Sequence, residues 1–120
     1  MSSTSPDSPT AQVECVQGVP VVAILGRLDS STAPVFDAQL DGTLNDGYSR
    51  ILVDLSAVTY ISSAGLRSIL RLIKHTAVHG GRTGIFGGAA QVMEVFEISG
   101  FGPLLDVYPD RENALNGGSA

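Results

Sequence analysis

A strand that leads into an amphipathic helix constrains this chain more than any other feature. Residues 51–72 read Ile-Leu-Val-Asp-Leu-Ser-Ala-Val-Thr-Tyr-Ile-Ser-Ser-Ala-Gly-Leu-Arg-Ser-Ile-Leu-Arg-Leu. Ile51 to Leu55 is short and rich in branched apolar residues, as a buried strand is. Further on, Leu66, Ile69, Leu70, Ile73 and Ala77 recur at i, i+3, i+4, i+7 and i+11 and share one helix face, while Arg67, Arg71 and Lys74 line another. Ser62 and Ser63 fall where that helix begins. A helix start leaves backbone N–H groups without partners, and a serine hydroxyl accepts from one of them, so Ser63 reads as a cap. The same donors and the positive end of the helix dipole tolerate a phosphate, so a phosphoserine reading stands beside it. Serine is a favoured cap everywhere, and residue chemistry alone leans that way.

Upstream, residues 1–11 are mostly Ser, Thr and Pro with one Asp, the composition of a disordered tail. Val13–Val16 and Val19–Leu25 are apolar runs joined by Gln17-Gly18, a hairpin signal. Pro20, without an N–H, belongs at the start or the unpaired side of its strand rather than mid-ladder. Thr32 is a cap candidate for a helix with Ala33 and Pro34 in its first turn and Val35, Phe36, Leu40 and Leu44 as apolar positions, ending before Asn45-Asp46-Gly47. Asp29, just before it, reads as a loop residue accepting local backbone hydrogen bonds.

Downstream, Gly80-Gly81 closes the central helix, with Lys74 and His75 near its negative end. His75 and His79 are four apart, a metal-binding spacing, but no Cys or acidic partner stands beside them, so a surface pair is expected. Arg82–Phe86 reads as a strand, Ala89–Ile98 as a helix with core positions Val92, Val95 and Phe96, Leu104–Tyr108 as a last strand and Asp110–Leu115 as a short helix. Gly84, Gly87 and Gly88 do not complete a phosphate-loop motif. Residues 12–116 therefore form one α/β domain, and 117–120 a flexible end. Three strand-helix-strand units give a largely parallel sheet of about five strands with an N-terminal antiparallel hairpin and about four helices. Asp29, the Tyr60–Ser63 segment and Gly87-Gly88 are then expected on neighbouring loops at the carboxyl ends of the strands.

Composition narrows the function. A net charge of −5 with seven basic residues argues against a direct nucleic-acid surface. No apolar run approaches the ~20 residues that span a bilayer, and no signal segment opens the chain, so a cytoplasmic protein is expected. The single Cys15 reads as a buried strand residue. No Gly-x-Ser-x-Gly elbow or clustered acid/base pair is present, which points away from an enzyme and leaves no cofactor to assign.

Asp54-Leu55-Ser56-Ala57-Val58-Thr59-Tyr60-Ile61-Ser62-Ser63-Ala64-Gly65-Leu66 resembles the signature of the STAS domain, specifically of bacterial anti-anti-sigma factors. Gly26-Arg27-Leu28-Asp29-Ser30-Ser31-Thr32-Ala33 resembles the family's Gly-x-Leu-Asp-x-x-Thr-Ala, and Ser99-Gly100-Phe101 before an apolar strand also fits. The resemblance spans roughly Val13 to Leu115 and implies a STAS fold with helices mainly on one sheet face. It places Ser63 at the phosphosite, with Ser62, where many members have Asp, as the lesser candidate. It also moves Asp29 toward a functional carboxylate beside that site.

The resemblance further implies a cycle of partner switching. The unphosphorylated protein binds an anti-sigma factor that is also a serine kinase, phosphorylation ends the binding, and a metal-dependent serine phosphatase restores it. The partner surface it implies comprises Asp29, Ser30, Thr32, Tyr60, Ile61, Ser62, Ser63, Ala64, Gly65, Arg67, Arg71, Gly87 and Gly88. The Arg67–Arg71–Lys74 stripe reads either as a solvated face or as a contact for an acidic patch on the partner. Two other STAS roles compete: a stressosome-type scaffold, and an accessory subunit of a lipid transporter.

Overall fold

The computed structural model describes residues 10–100 and 102–117. Strands β1 (Ala11–Val16) and β2 (Val19–Ile24) pair antiparallel across Gln17-Gly18. Both turn residues have positive φ, 55° and 81°, the twist that suits a two-residue hairpin. Pro20 stands opposite Cys15, before the ladder to the next strand of the sheet begins at Val21, where its missing N–H does least harm. The chain continues through β3 (Gly26–Leu28), α1 (Ala33–Asn45), β4 (Arg50–Asp54), β5 (Val58–Ile61), α2 (Ser63–Val78), β6 (Arg82–Phe86), α3 (Ala90–Ser99), a 3-10 turn (Gly102–Leu104), β7 (Leu105–Tyr108) and α4 (Arg111–Gly117).

The main sheet has the order β1-β2-β4-β6-β7, parallel apart from the β1–β2 hairpin. Alternate strand residues face opposite sides. Val22, Ile24, Ile51, Val53 and Ile85 accordingly meet Phe36 and Leu40 of α1, Ile69, Leu72 and Ile73 of α2, and Val92 and Phe96 of α3 in one core. Val21, Leu52 and Phe86 meet Ala114 of α4 in a smaller one. Three helices thus cover one face and α4 the other, where the Arg50 guanidinium donates to the Ala114 carbonyl. At the end of α2, Gly80 takes a φ of 84°. The N–H groups of Gly81 and Gly80 then close back on the carbonyls of Thr76 and Ala77 at 2.8 and 3.1 Å, a Schellman ending.

Several expectations need correcting. The chain joins the fold at Ala11, inside the expected tail, because the Gln39 side-chain carbonyl accepts from the N–H groups of Thr10 and Ala11 at 3.1 and 2.8 Å. Gly117 ends α4 and packs against Tyr108 rather than opening a flexible end. The remaining residues expected as tail and end lie outside the described ones. Cys15 is exposed, because β1 is an edge strand whose residues from Gln12 to Cys15 face solvent. Its Sγ lies 3.8 Å from the Tyr48 hydroxyl. Val35 is exposed while Phe36 and Leu40 carry the buried stripe of α1. Among the described residues, no helix is long and apolar enough to cross a membrane.

Candidate functional site

A second, two-stranded parallel sheet of β3 and β5 builds the site. Gly26, with a φ of 76°, turns the chain out of β2, and the turn Leu55-Ser56-Ala57 carries it from β4 into β5, closed by the Val58 N–H on the Leu55 carbonyl. Pairing of Arg27 with Tyr60 and of Leu28 with Ile61 delivers the Asp29 loop and the start of α2 side by side. Leu28 and Ile61 are buried and hold this platform on the core. Gly65 lets it close: a Cβ there would lie 2.4 Å from the Leu28 carbonyl oxygen. Ile61 and Gly65, expected at a partner surface, are buried and position the exposed residues instead.

The two serines at the head of α2 have different positions. Ser62 is the cap: its backbone is extended, its hydroxyl accepts from the Gly65 N–H at 3.3 Å, and its own N–H donates to the Leu28 carbonyl at 2.9 Å. Ser63, read above as the cap, is instead the first helical residue and is exposed. Among the described residues its hydroxyl has no hydrogen-bond partner.

Asp29 organises the neighbouring loop. One carboxylate oxygen accepts from the Ser31 N–H at 3.0 Å, the Ser31 hydroxyl at 2.7 Å and the Thr32 N–H at 3.2 Å. These bonds, led by the Ser31 hydroxyl and helped by the Arg27 guanidinium, hold its pKa down to about 2 against partial desolvation. Thr32 occupies the cap position of α1, but its side chain makes no cap hydrogen bond. Its hydroxyl donates to the Arg27 carbonyl at 2.8 Å and accepts from the Asp29 N–H at 2.9 Å, tying the turn to β3. Ser30 projects at the tip of that turn, exposed.

Arg27 is the site residue that the sequence reading missed. Its guanidinium lies 4.5 Å from the centroid of the Tyr60 ring and bonds Asp29 at 3.2 Å, so one cation joins the ring on β5 to the carboxylate after β3. Tyr60 remains 44% exposed, an apolar surface three residues before Ser63 in the chain. The signal lay in the Gly26-Arg27-Leu28-Asp29 segment, but only the β3–β5 register reveals the pairing.

The basic stripe of α2 divides in the same way. Arg71 is clamped by two carboxylates of α1, Asp37 at 3.2 Å and Asp41 at 3.0 Å. Arg67, one turn nearer Ser63, forms no ion pair among the described residues. An open groove of about 450 Å³ runs between the two helices, bordered by Ser30, Asp37, Ala64, Arg67 and Arg71. Gly87 and Gly88 pack near Asp54, Leu55, Ser56 and Met93, and border a different, apolar cavity of about 440 Å³ against Phe96, Leu105 and Tyr108.

His75 and His79 stack at 4.4 Å between ring centroids. His75 is half-buried rather than a surface residue: its Nε2 is enclosed without a hydrogen-bond partner, and burial first, then the neighbouring His79 and Arg71, lowers its pKa. No group of three or more His, Cys, Asp or Glu among the described residues could hold a metal ion.

The STAS domain family model matches residues 10–114. BtrV of Bordetella bronchiseptica, assigned as an anti-sigma factor antagonist, is 34% identical over 99 residues, covering 82% of this chain and 85% of BtrV. The crystal structure of an anti-sigma factor antagonist from Mycobacterium paratuberculosis superposes with a TM-score of 0.84 at 27% identity, over 97% of this chain and 98% of that one. SpoIIAA of Bacillus in its phosphorylated form shares the fold, with a TM-score of 0.70 at 21% identity over 90% of this chain and 98% of that one. The chain belongs to the STAS domain family, and its relatives include anti-sigma factor antagonists.

Proposed function

We propose that this protein is an anti-sigma factor antagonist whose binding is switched by phosphorylation of Ser63. Unmodified, it binds an anti-sigma factor that has serine kinase activity, through the surface formed by the exposed Ser30, Tyr60, Ser63 and Arg67 and the half-buried Ala64, and so releases a sigma factor. Phosphate on Ser63 ends the binding, and a metal-dependent serine phosphatase restores it. The observation that carries this reading is the exposed, uncommitted hydroxyl of Ser63, next in sequence to Ala64 at the border of an open groove, while the Ser62 hydroxyl is engaged as the helix cap. That difference favours Ser63 over Ser62 as the acceptor. The antagonist names of BtrV and the Mycobacterium paratuberculosis protein, and the phosphorylated form of SpoIIAA, support it.

One phosphate is strong enough for such a switch. A micromolar complex corresponds to about 8 kcal/mol, and stranding a charge in an interface costs about 3–5 kcal/mol, so affinity falls by roughly two to four decades. The test is site-mapped mass spectrometry after incubating wild type, Ser63→Ala and Ser62→Ala with ATP and the cognate anti-sigma kinase. Phosphate is expected on Ser63 in wild type and Ser62→Ala, and absent from Ser63→Ala. No phosphate on wild type, with the kinase active on another substrate, refutes the reading.

A further inference from the structure

Arg27 of β3 and Arg67 and Arg71 of α2 are the three arginines of this region, and two are already engaged. Arg27 is held by the Tyr60 ring and the Asp29 carboxylate. Arg71 is held by Asp37 and Asp41. Arg67 is exposed, without an ion pair among the described residues, and stands four residues after Ser63 within α2. Side chains at i and i+4 are neighbours on a helix surface, and an anion on the N-terminal side of a cation is the favourable order.

We infer that Arg67 is the internal receptor for the phosphate on Ser63. This rests on Ser63 being the modified residue and adds how the phosphate is held. A dianion there has three strong acceptor oxygens, and the planar guanidinium presents paired donors to them. Arg67 lines the groove between α1 and α2, so swinging to the phosphate withdraws the groove's uncommitted cation from the partner. Phosphorylation then adds a negative group to the binding surface and removes a positive one in the same event. Arg71 stays with its two aspartates, which leaves the α1–α2 clamp intact. A phosphatase must displace Arg67 to reach its substrate, so Arg67 also protects the modified state.

The test uses full-length protein carrying phosphoserine placed genetically at position 63, so that it does not depend on any kinase. A kinase that ignores Ser63 counts against the function proposed above, whereas this experiment reads the Arg67 contact alone. Phosphorus NMR titration gives the second phosphate pKa, which is about 6 when unperturbed. In wild type it is expected to lie below that of Arg67→Gln by about 0.15–0.4 unit at low salt, with the difference shrinking at high salt. Arg71→Gln should leave it close to the wild-type value. An equal pKa in wild type and Arg67→Gln, or a larger rise in Arg71→Gln than in Arg67→Gln, overturns the assignment. Arg67 is exposed, so its removal does not threaten the fold, and circular dichroism of both variants checks that directly.

Discussion

Asp29 shows how one residue can serve both local structure and the surface. Its carboxylate gathers three donors from Ser31 and Thr32, and the Ala33 N–H closes on its backbone carbonyl at 2.8 Å. This is the arrangement by which aspartate organises a turn ahead of a helix. Because those bonds favour the ionised form, its pKa lies near 2 in the fold and near 3.8 without them. A depressed carboxylate contributes stability that is fully present above the unfolded pKa and is lost as pH falls through the folded one. Asp29→Asn keeps an acceptor for the turn but removes this titration. The stability advantage of wild type over Asp29→Asn is therefore expected to narrow between pH 4 and pH 2, read from urea midpoints across that range. A difference that stays constant with pH would show that the carboxylate's charge contributes nothing to the turn. Asp110, whose pKa is also lowered, by the Asn113 N–H and side chain, is common to both proteins and cancels.

At the scale of elements, the junction of β3, β5 and α2 depends on one close approach. A methyl at Gly65 would meet the Leu28 carbonyl at 2.4 Å and Leu28 Cγ at 2.9 Å. Helix propensity alone favours alanine over glycine by about 1 kcal/mol, so the sign of the substitution decides whether packing wins. Gly65→Ala is expected to destabilise by about 1–3 kcal/mol, and Gly42→Ala in α1, with nothing within 4 Å of the added atom, to stabilise by about 0.5–1 kcal/mol. Urea unfolding of the pair checks this. A neutral or stabilising Gly65→Ala would mean that α2 can shift away from β3.

This junction was also the least legible part of the sequence. The main sheet could be read because β4 carries the short apolar run Ile51-Leu52-Val53 and β6 lies between two helices, and α2 because its stripe repeats at helical spacing. In β5 only Val58 and Ile61 are buried, with Thr59 and Tyr60 exposed between them, so neither a continuous apolar run nor strict alternation marks it. β3 has three residues and follows β2 after the single residue Leu25, with the bend at its own first residue, Gly26, which made it look like the end of that strand. The site's outline came from matching motifs, and its side-chain pairings depend on β3–β5 register and on the packing of α1 against α2. The separation of Gly87-Gly88 from the groove likewise arises where β6 ends beside Asp54 and Ser56, a contact across strands.

At the scale of the whole molecule, the proposed switch site and the second core occupy different parts of the fold. Ser63, Tyr60, Asp29 and the groove stand on the small β3–β5 sheet and the first turns of α1 and α2. The second core, Val21, Leu52 and Phe86 under Ala114, lies across the main sheet from α1, α2 and α3. A phosphate on Ser63 perturbs the helix start by about 0.3–2 kcal/mol, against a total stability of about 5–15 kcal/mol for a domain. Local exclusion of the partner, without refolding, is the arrangement these magnitudes favour. Protein carrying phosphoserine at position 63 is therefore expected to unfold in one cooperative transition, with a midpoint within about 10 °C of the unmodified chain. Its amide shift changes should be confined to the Asp29–Thr32 loop, β5 and the first two turns of α2. Amides of Val21, Leu52, Phe86 and Ala114 should not move. Shifts that spread through that second core, or a broadened and non-cooperative transition, would mean that the phosphate acts by rearranging the main sheet, and the switch would have to be sought in the fold rather than at its surface.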